Sequence, residues 1–119
     1  MKIAYASRTG NCENIVNKLG IENIFISSGE ESINENIILL TYTDGYGLVP
    51  TEVEDFVNNN KEYIKGIIAS GDKSFGDAYC GAGVTLSEEL NVPLIMKIEN
   101  SGTDEEIEEL KKSLEAFNE

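Results

Sequence analysis

The sequence predicts an α/β fold, a five-stranded parallel sheet covered by helices on both faces. Three observations carry that reading. Apolar runs rich in β-branched and aromatic residues recur along the chain. Stretches with apolar residues at helical spacing separate them. Segments dense in Gly, Ser, Thr, Asn and Asp follow several of the runs directly.

Ile3–Ala6 is the first strand, and Asn14–Leu19 the first helix, with Ile15, Val16 and Leu19 on one face. Ile24–Ser27 is short and suits an edge of the sheet. Ile37–Tyr42 is the third strand. Thr51–Asn60 begins after Pro50 and sets Val53, Phe56 and Val57 in helical phase. Tyr63–Ser70 is the fourth strand, and Ala78–Leu90 is a helix carrying Ala82, Leu86 and Leu90. Val92–Ile98 is the fifth strand. Thr103–Phe117 is the last helix, with Ile107, Leu110, Leu114 and Phe117 on its apolar face. Thr103 and Glu106 form a capping box at its start, acids fill its first turn, and Lys111 and Lys112 lie towards its end. No repeat or linker interrupts the pattern, so residues 1–119 read as one domain.

Composition removes whole classes of function. With 22 acidic and 9 basic side chains the net charge is −13, which repels nucleic acid and anionic membrane surfaces. The chain has no histidine, so Ser-His-Asp and Cys-His catalysis are out, as are His-containing zinc sites and haem ligation by His. No metal site is expected. Cys12 and Cys80 are too few for a disulfide framework and read better as small soft residues than as reactive thiols. The opening MKIAYAS does not suit a signal peptide, and no run approaches the roughly 20 apolar residues that cross a bilayer. The expected compartment is the cytoplasm.

In an open parallel sheet, ligands bind outside the carboxyl ends of the strands. After the first strand runs S-R-T-G-N-C, residues 7–12. A helix N-terminus offers unpaired N–H groups and a positive dipole end. Ser7, Thr9 and Asn11 add neutral donors, which reconciles an anion site with so acidic a chain. The spacing is neither that of a nucleoside-triphosphate P-loop nor that of the dinucleotide fingerprint. The same residues also make an ordinary helix cap, so this loop alone leaves both readings open. After the third strand, T-Y-T-D-G-Y-G-L-V-P sets Tyr46 between two glycines, where it serves a ligand or packs on its own protein. After the fourth strand, S-G-D-K-S-F-G-D-A-Y-C-G-A-G offers Phe75, carboxylates and more glycines. Lys73 in this loop reads as a surface lysine, and Asp104–Glu109 as a solvated helix face. Together the loops imply a phosphorylated, planar, aromatic ligand, its ring between Tyr46 and Phe75.

These motifs carry a resemblance. S-R-T-G-N resembles the phosphate loop of flavodoxins, and G-D with an aromatic, then Y-C-G-A, resembles their second ring-binding loop. That resemblance implies FMN and a flavodoxin-like three-layer sandwich with strand order 2-1-3-4-5. It implies that Ser7, Arg8, Thr9, Gly10, Asn11 and Cys12 wrap the ribityl phosphate. Thr43, Asp44, Gly45, Tyr46 and Gly47 would then face one side of the isoalloxazine, and Gly71, Asp72, Phe75, Gly76, Tyr79 and Cys80 the other. Two positions depart from the flavodoxin pattern: Cys12 stands where Thr is preferred, and Asp44 puts an acid near the flavin edge, where it bears on the redox potentials.

The chain is more similar still to the NrdI family, through T-G-N, T-Y-T-D-G-Y-G-L-V-P, A-S-G-D with F-G-D, and Ser101-Gly102-Thr103 in that order. Membership would imply a redox activator, not an enzyme with its own turnover. Its reduced flavin would react with O2 and supply a superoxide or peroxide oxidant to the dimanganese small subunit of class Ib ribonucleotide reductase. There the tyrosyl radical for deoxyribonucleotide synthesis is made. The partners are then that subunit, O2 and an unidentified flavin reductant, and no residue need act as acid or base. The alternative is a flavodoxin that carries electrons to a low-potential acceptor. A response-regulator receiver on the same fold would need an acidic cluster after the first strand, and Ser7–Gly10 supplies none.

Overall fold

The computed structural model describes residues 1–117; the last two residues of the expected 1–119 domain lie outside them. Five parallel strands form one sheet: β1 (Lys2–Tyr5), β2 (Asn23–Phe25), β3 (Ile37–Thr41), β4 (Ile64–Gly71) and β5 (Leu94–Glu99). Their spatial order is β2-β1-β3-β4-β5, as the resemblance implies, with the three-residue β2 at an edge. All five residues of β3 are buried because the strand lies mid-sheet with helices over both faces.

Alternation along the strands sorts the core into two layers. Ile3, Ile38, Leu40, Ile68 and Ile98 point to one face. There they meet α1 (Asn11–Leu19) through Ile15 and Val16, and α4 (Asp104–Phe117) through Ile107, Leu110 and Leu114. Ala4, Ile37, Leu39 and Ile67 point to the other face. That layer packs on α2 (Thr51–Asn60) through Val53, Phe56 and Val57, and on α3 (Gly81–Leu90) through Leu86.

Element ends differ from expectation for local reasons. α1 begins three residues earlier than its apolar pattern, because Gly10 at φ 94° turns the loop straight into the helix. α3 begins at Gly81, not Ala78, since residues 73–78 form 3-10 turns broken at Gly76 and Cys80 is left-handed at φ 56°. β5 starts after Pro93, which has no N–H for the ladder. The capping box of α4 is present: Thr103 N–H donates to Glu106 Oε1 at 3.0 Å, and Glu106 N–H to Thr103 Oγ1 at 3.1 Å. Among the described residues, no helix is long and apolar enough to cross a membrane.

Candidate functional site

All five strands run the same way, so the loops after β1, β3, β4 and β5 meet at one edge of the sheet. They enclose a cavity of about 310 Å³, at the small end of the range for ligand pockets.

The loop after β1 is shaped by its own hydroxyl and amide groups. Gly10 N–H donates to Ser7 Oγ at 3.1 Å, and Asn11 Nδ2 to Thr9 Oγ1 at 3.3 Å. Gly10 caps α1 without a side chain, so among the described residues no side-chain oxygen closes the helix N-terminus. A Cβ at Gly10 would meet no protein atom within 4 Å; its left-handed φ is what calls for glycine. Arg8, Thr9 and Asn11 line the cavity, whereas Ser7 and Gly10 lie beside it. Cys12 turns its thiol into the core, only 1% exposed, so it brings its backbone alone to this loop.

In the loop after β3, Thr43, Asp44 and Gly45 line the cavity. Asp44 and Leu48 exchange backbone hydrogen bonds at 2.9 and 2.8 Å, closing a tight turn around Gly45, Tyr46 and Gly47. That turn rests on the start of α3, where a Cβ at Gly81 would come within 2.6 Å of Gly47 Cα. In the loop after β4, Gly71, Asp72, Phe75 and Cys80 line the cavity. Gly76 and Tyr79 lie outside the lining, and the Tyr79 ring has the ammonium groups of Lys73 and Lys97 at 5.9 and 6.0 Å. Tyr46 and Phe75 come together as a direct edge-to-face pair, centroids 5.4 Å apart. A flat ring between two faces needs about 7 Å, twice a van der Waals contact. The pair therefore has to part to admit one, and both side chains are exposed enough to change rotamer.

Sequence reasoning missed four lining residues: Tyr42, Ser70, Ala78 and Asn100. The sequence pattern assigns Tyr42 and Ser70 to strands, although both stand at carboxyl ends, and Ala78 to a helix. In the loop after β5 the sequence motif covers only Ser101-Gly102-Thr103. Yet Asn100 N–H donates to Gly71 O at 2.8 Å, and Ser70 Oγ to Asn100 O at 2.7 Å. Ser101 Oγ donates to Asn11 Oδ1 at 2.8 Å and accepts from Asn14 Nδ2 at 3.1 Å, tying this loop to the start of α1. The carboxyl-edge rule, applied to every strand, would have found it.

Burial and pairing set the protonation states. The Arg8 guanidinium, hydrogen-bonded to Asp44, holds that carboxyl below its usual range. Hydrogen bonding from Ser74 does the same for Asp72. Burial, with the hydrogen bond to Glu52 adding to it, pushes the Tyr42 phenol up to about 12. Burial also raises the Cys80 thiol, and it pushes Cys12 from 9.0 up to about 12. Both cysteines are therefore neutral packing groups at physiological pH. For Cys12 the folded value is the higher one, so its contribution to stability is complete below pH 9.0 and is lost as pH rises towards about 12. Across that window we expect it to lower unfolding free energy by up to about 1.4 kcal/mol per pH unit. Denaturant titrations of parent and Cys12→Val check this, and parallel pH profiles would refute it.

The model of the family described as NrdI Flavodoxin like matches residues 3–112. The chain belongs to the NrdI flavodoxin-like family. Two solved flavodoxins share the fold. A short-chain flavodoxin associated with a bacterial microcompartment is 21% identical, TM-score 0.66, with 96% of this chain and 93% of that one covered. The two-electron reduced flavodoxin of Megasphaera elsdenii, solved in solution, is 21% identical, TM-score 0.64, with 94% and 96% covered. Membership of the NrdI flavodoxin-like family implies a flavin cofactor, and the donor set fits one. Hydroxyls, an amide and an uncapped helix N-terminus lie on one side of the cavity, with peptide groups and aromatic rings at its mouth.

Proposed function

We propose that the chain binds FMN and activates the small subunit of a class Ib ribonucleotide reductase. The observation that carries this reading is the convergence of four motif-bearing loops on one cavity, in a chain that the NrdI family matches over residues 3–112. Ser7, Thr9, Asn11 and the first-turn N–H groups of α1 hold the phosphate, with the Arg8 charge beside them and Gly10 and Cys12 giving backbone alone. Thr43–Gly47 and the Gly71–Cys80 loop hold the ring system, Tyr46 and Phe75 shielding it from water once they part. When bound, FMN in its reduced form supplies electrons to O2, giving the superoxide or peroxide oxidant that passes to the dimanganese site of the partner. The chain's own work is to orient the flavin, hold its phosphate by neutral donors and present the exposed Tyr46 rim to the partner. The cytoplasm is the compartment this role requires.

The test is radical yield. Reduced protein, O2 and a dimanganese-loaded class Ib small subunit are mixed, and tyrosyl radical is counted by electron paramagnetic resonance. We expect radical well above that from free reduced FMN or an unrelated flavodoxin, and little effect of added superoxide dismutase. No radical above those controls, with ready electron transfer to a low-potential acceptor enzyme, would overturn the proposal in favour of an electron carrier.

A further inference from the structure

The geometry points to Arg8 and Asp44 as a charge-compensated clasp that tunes the reduction potential of the bound flavin while fixing the Gly45 turn at the cavity mouth, an inference that rests on the FMN reading above.

The two residues lie 36 apart in sequence, Arg8 inside S-R-T-G-N and Asp44 inside T-Y-T-D-G. In space they form a two-pronged pair. Arg8 Nη1 donates to Asp44 Oδ1 at 2.7 Å, and Nη2 to Oδ2 at 3.0 Å. This is the geometry in which a planar guanidinium matches a carboxylate, and a lysine cannot reproduce it. Arg8 is also held by its face: its guanidinium carbon lies 5.1 Å from the centroid of the Tyr42 ring, whose phenol donates to Glu52 at 2.6 Å. Asp44 in turn is fixed by both of its backbone hydrogen bonds to Leu48. The pair therefore fastens a closed three-residue turn to the loop that begins α1, and it joins the two loops expected to hold the phosphate and the ring.

Its electrical role follows from what else lines the cavity. Among the described residues, Arg8 is the one cation in the lining, against the carboxylates of Asp44 and Asp72. The lysines at Tyr79 are not part of the lining. Adding electrons to a bound flavin builds negative charge in this space, within a chain of net charge −13. An unpaired Asp44 would oppose that, and an unpaired Arg8 would favour it. Paired, the two nearly cancel. The side chains are 55% and 36% exposed, so the pair contributes little to global stability and its field weakens with salt. Placement at the cavity, more than fold stability, is the reason to expect a functional role.

The experiment measures the midpoint potential of bound FMN and the FMN dissociation constant in parent, Arg8→Gln, Asp44→Asn, the double variant and Arg8→Lys, with thermal melts confirming that each is folded. Arg8→Gln should lower the potential and Asp44→Asn should raise it. The double variant should return towards the parent, and both single shifts should shrink at high salt. Binding should weaken in both single variants, by less than about tenfold. Arg8→Lys keeps the charge without the fork, so its potential should stay near the parent while its binding weakens. If the parent binds FMN and the two single variants leave the potential unmoved or move it the same way, the clasp is overturned. A parent that binds no FMN overturns the cofactor reading, and the inference with it.

Discussion

A Gly10→Val protein is expected to bind FMN roughly ten- to a hundredfold more weakly than the parent, and the parent is expected to prefer FMN to riboflavin. Gly10 sits at φ 94° at the start of α1. A β-branched residue there carries strain on the order of 1–3 kcal/mol, and each 1.4 kcal/mol lost from the binding-competent loop is about tenfold in affinity. Either the loop moves, displacing the Ser7 and Thr9 hydroxyls, or the strain is borne in the bound state. Gly20, at the other end of α1 with φ 64° and equally open space around it, is the control. Gly20→Ala should lower the melting temperature and leave FMN affinity alone. The measurement is a fluorescence titration of each protein with FMN and with riboflavin. Equal affinity of the parent for the two ligands would remove the phosphate role from residues 7–11.

Asn60→Ala is expected to lower unfolding free energy by about 2–4 kcal/mol, although Asn60 is only the last of three asparagines at the end of α2. The side chain is 1% exposed. Its amide donates to Glu31 O at 2.8 Å and Phe56 O at 3.0 Å, and its carbonyl accepts from Ile33 N–H at 3.0 Å. Truncation removes the side-chain partner from the part-buried Glu31 and Ile33 backbone groups and the buried Phe56 carbonyl, at roughly 1–3 kcal/mol for each group left unsatisfied. The same loop is fastened twice more. Asn59 donates to Gly29 O at 3.1 Å, and the Glu31 carboxylate accepts from the N–H groups of Ser27, Ser28 and Gly29 at 2.9, 3.1 and 2.9 Å. Burial opposes the Glu31 charge, but those N–H groups outweigh it and hold the carboxyl below its usual value. Urea denaturation at neutral pH is the check, and a loss below about 1 kcal/mol would show that the loop repacks or rehydrates freely.

Much of the fold was legible because it rests on short-range rules. The β-branched runs at Ile37–Tyr42 and Tyr63–Ser70, the helical phase of Val53, Phe56 and Val57, and the Thr103–Glu106 box each state their structure within a few residues. Element ends were less legible where backbone sign matters. Neither Cys80 nor Asn100 announces a positive φ, yet both adopt one, at 56° and 53°. The Tyr46–Phe75 pair shows a different limit. Sequence supplied two rings on neighbouring loops, but whether they stand apart or touch depends on rotamers that only packing selects.

By itself the sequence determined the parallel α/β architecture and the family, and hence a flavin, because hydrophobic periodicity and loop motifs are local properties of the chain. It also determined that no histidine of this chain serves in the site, since a chain with none cannot acquire one by folding. Only the tertiary structure decided which loop residues meet. It turned Cys12 inward, drew Asn100 into the site, tied Ser101 to Asn11, and set Asp44 against Arg8 and Gly47 against Gly81. Those are contacts between residues far apart in the chain. Their partners are chosen by strand order and register, which bring separate loops to one edge of the sheet and leave no trace in the spacing within any one of them.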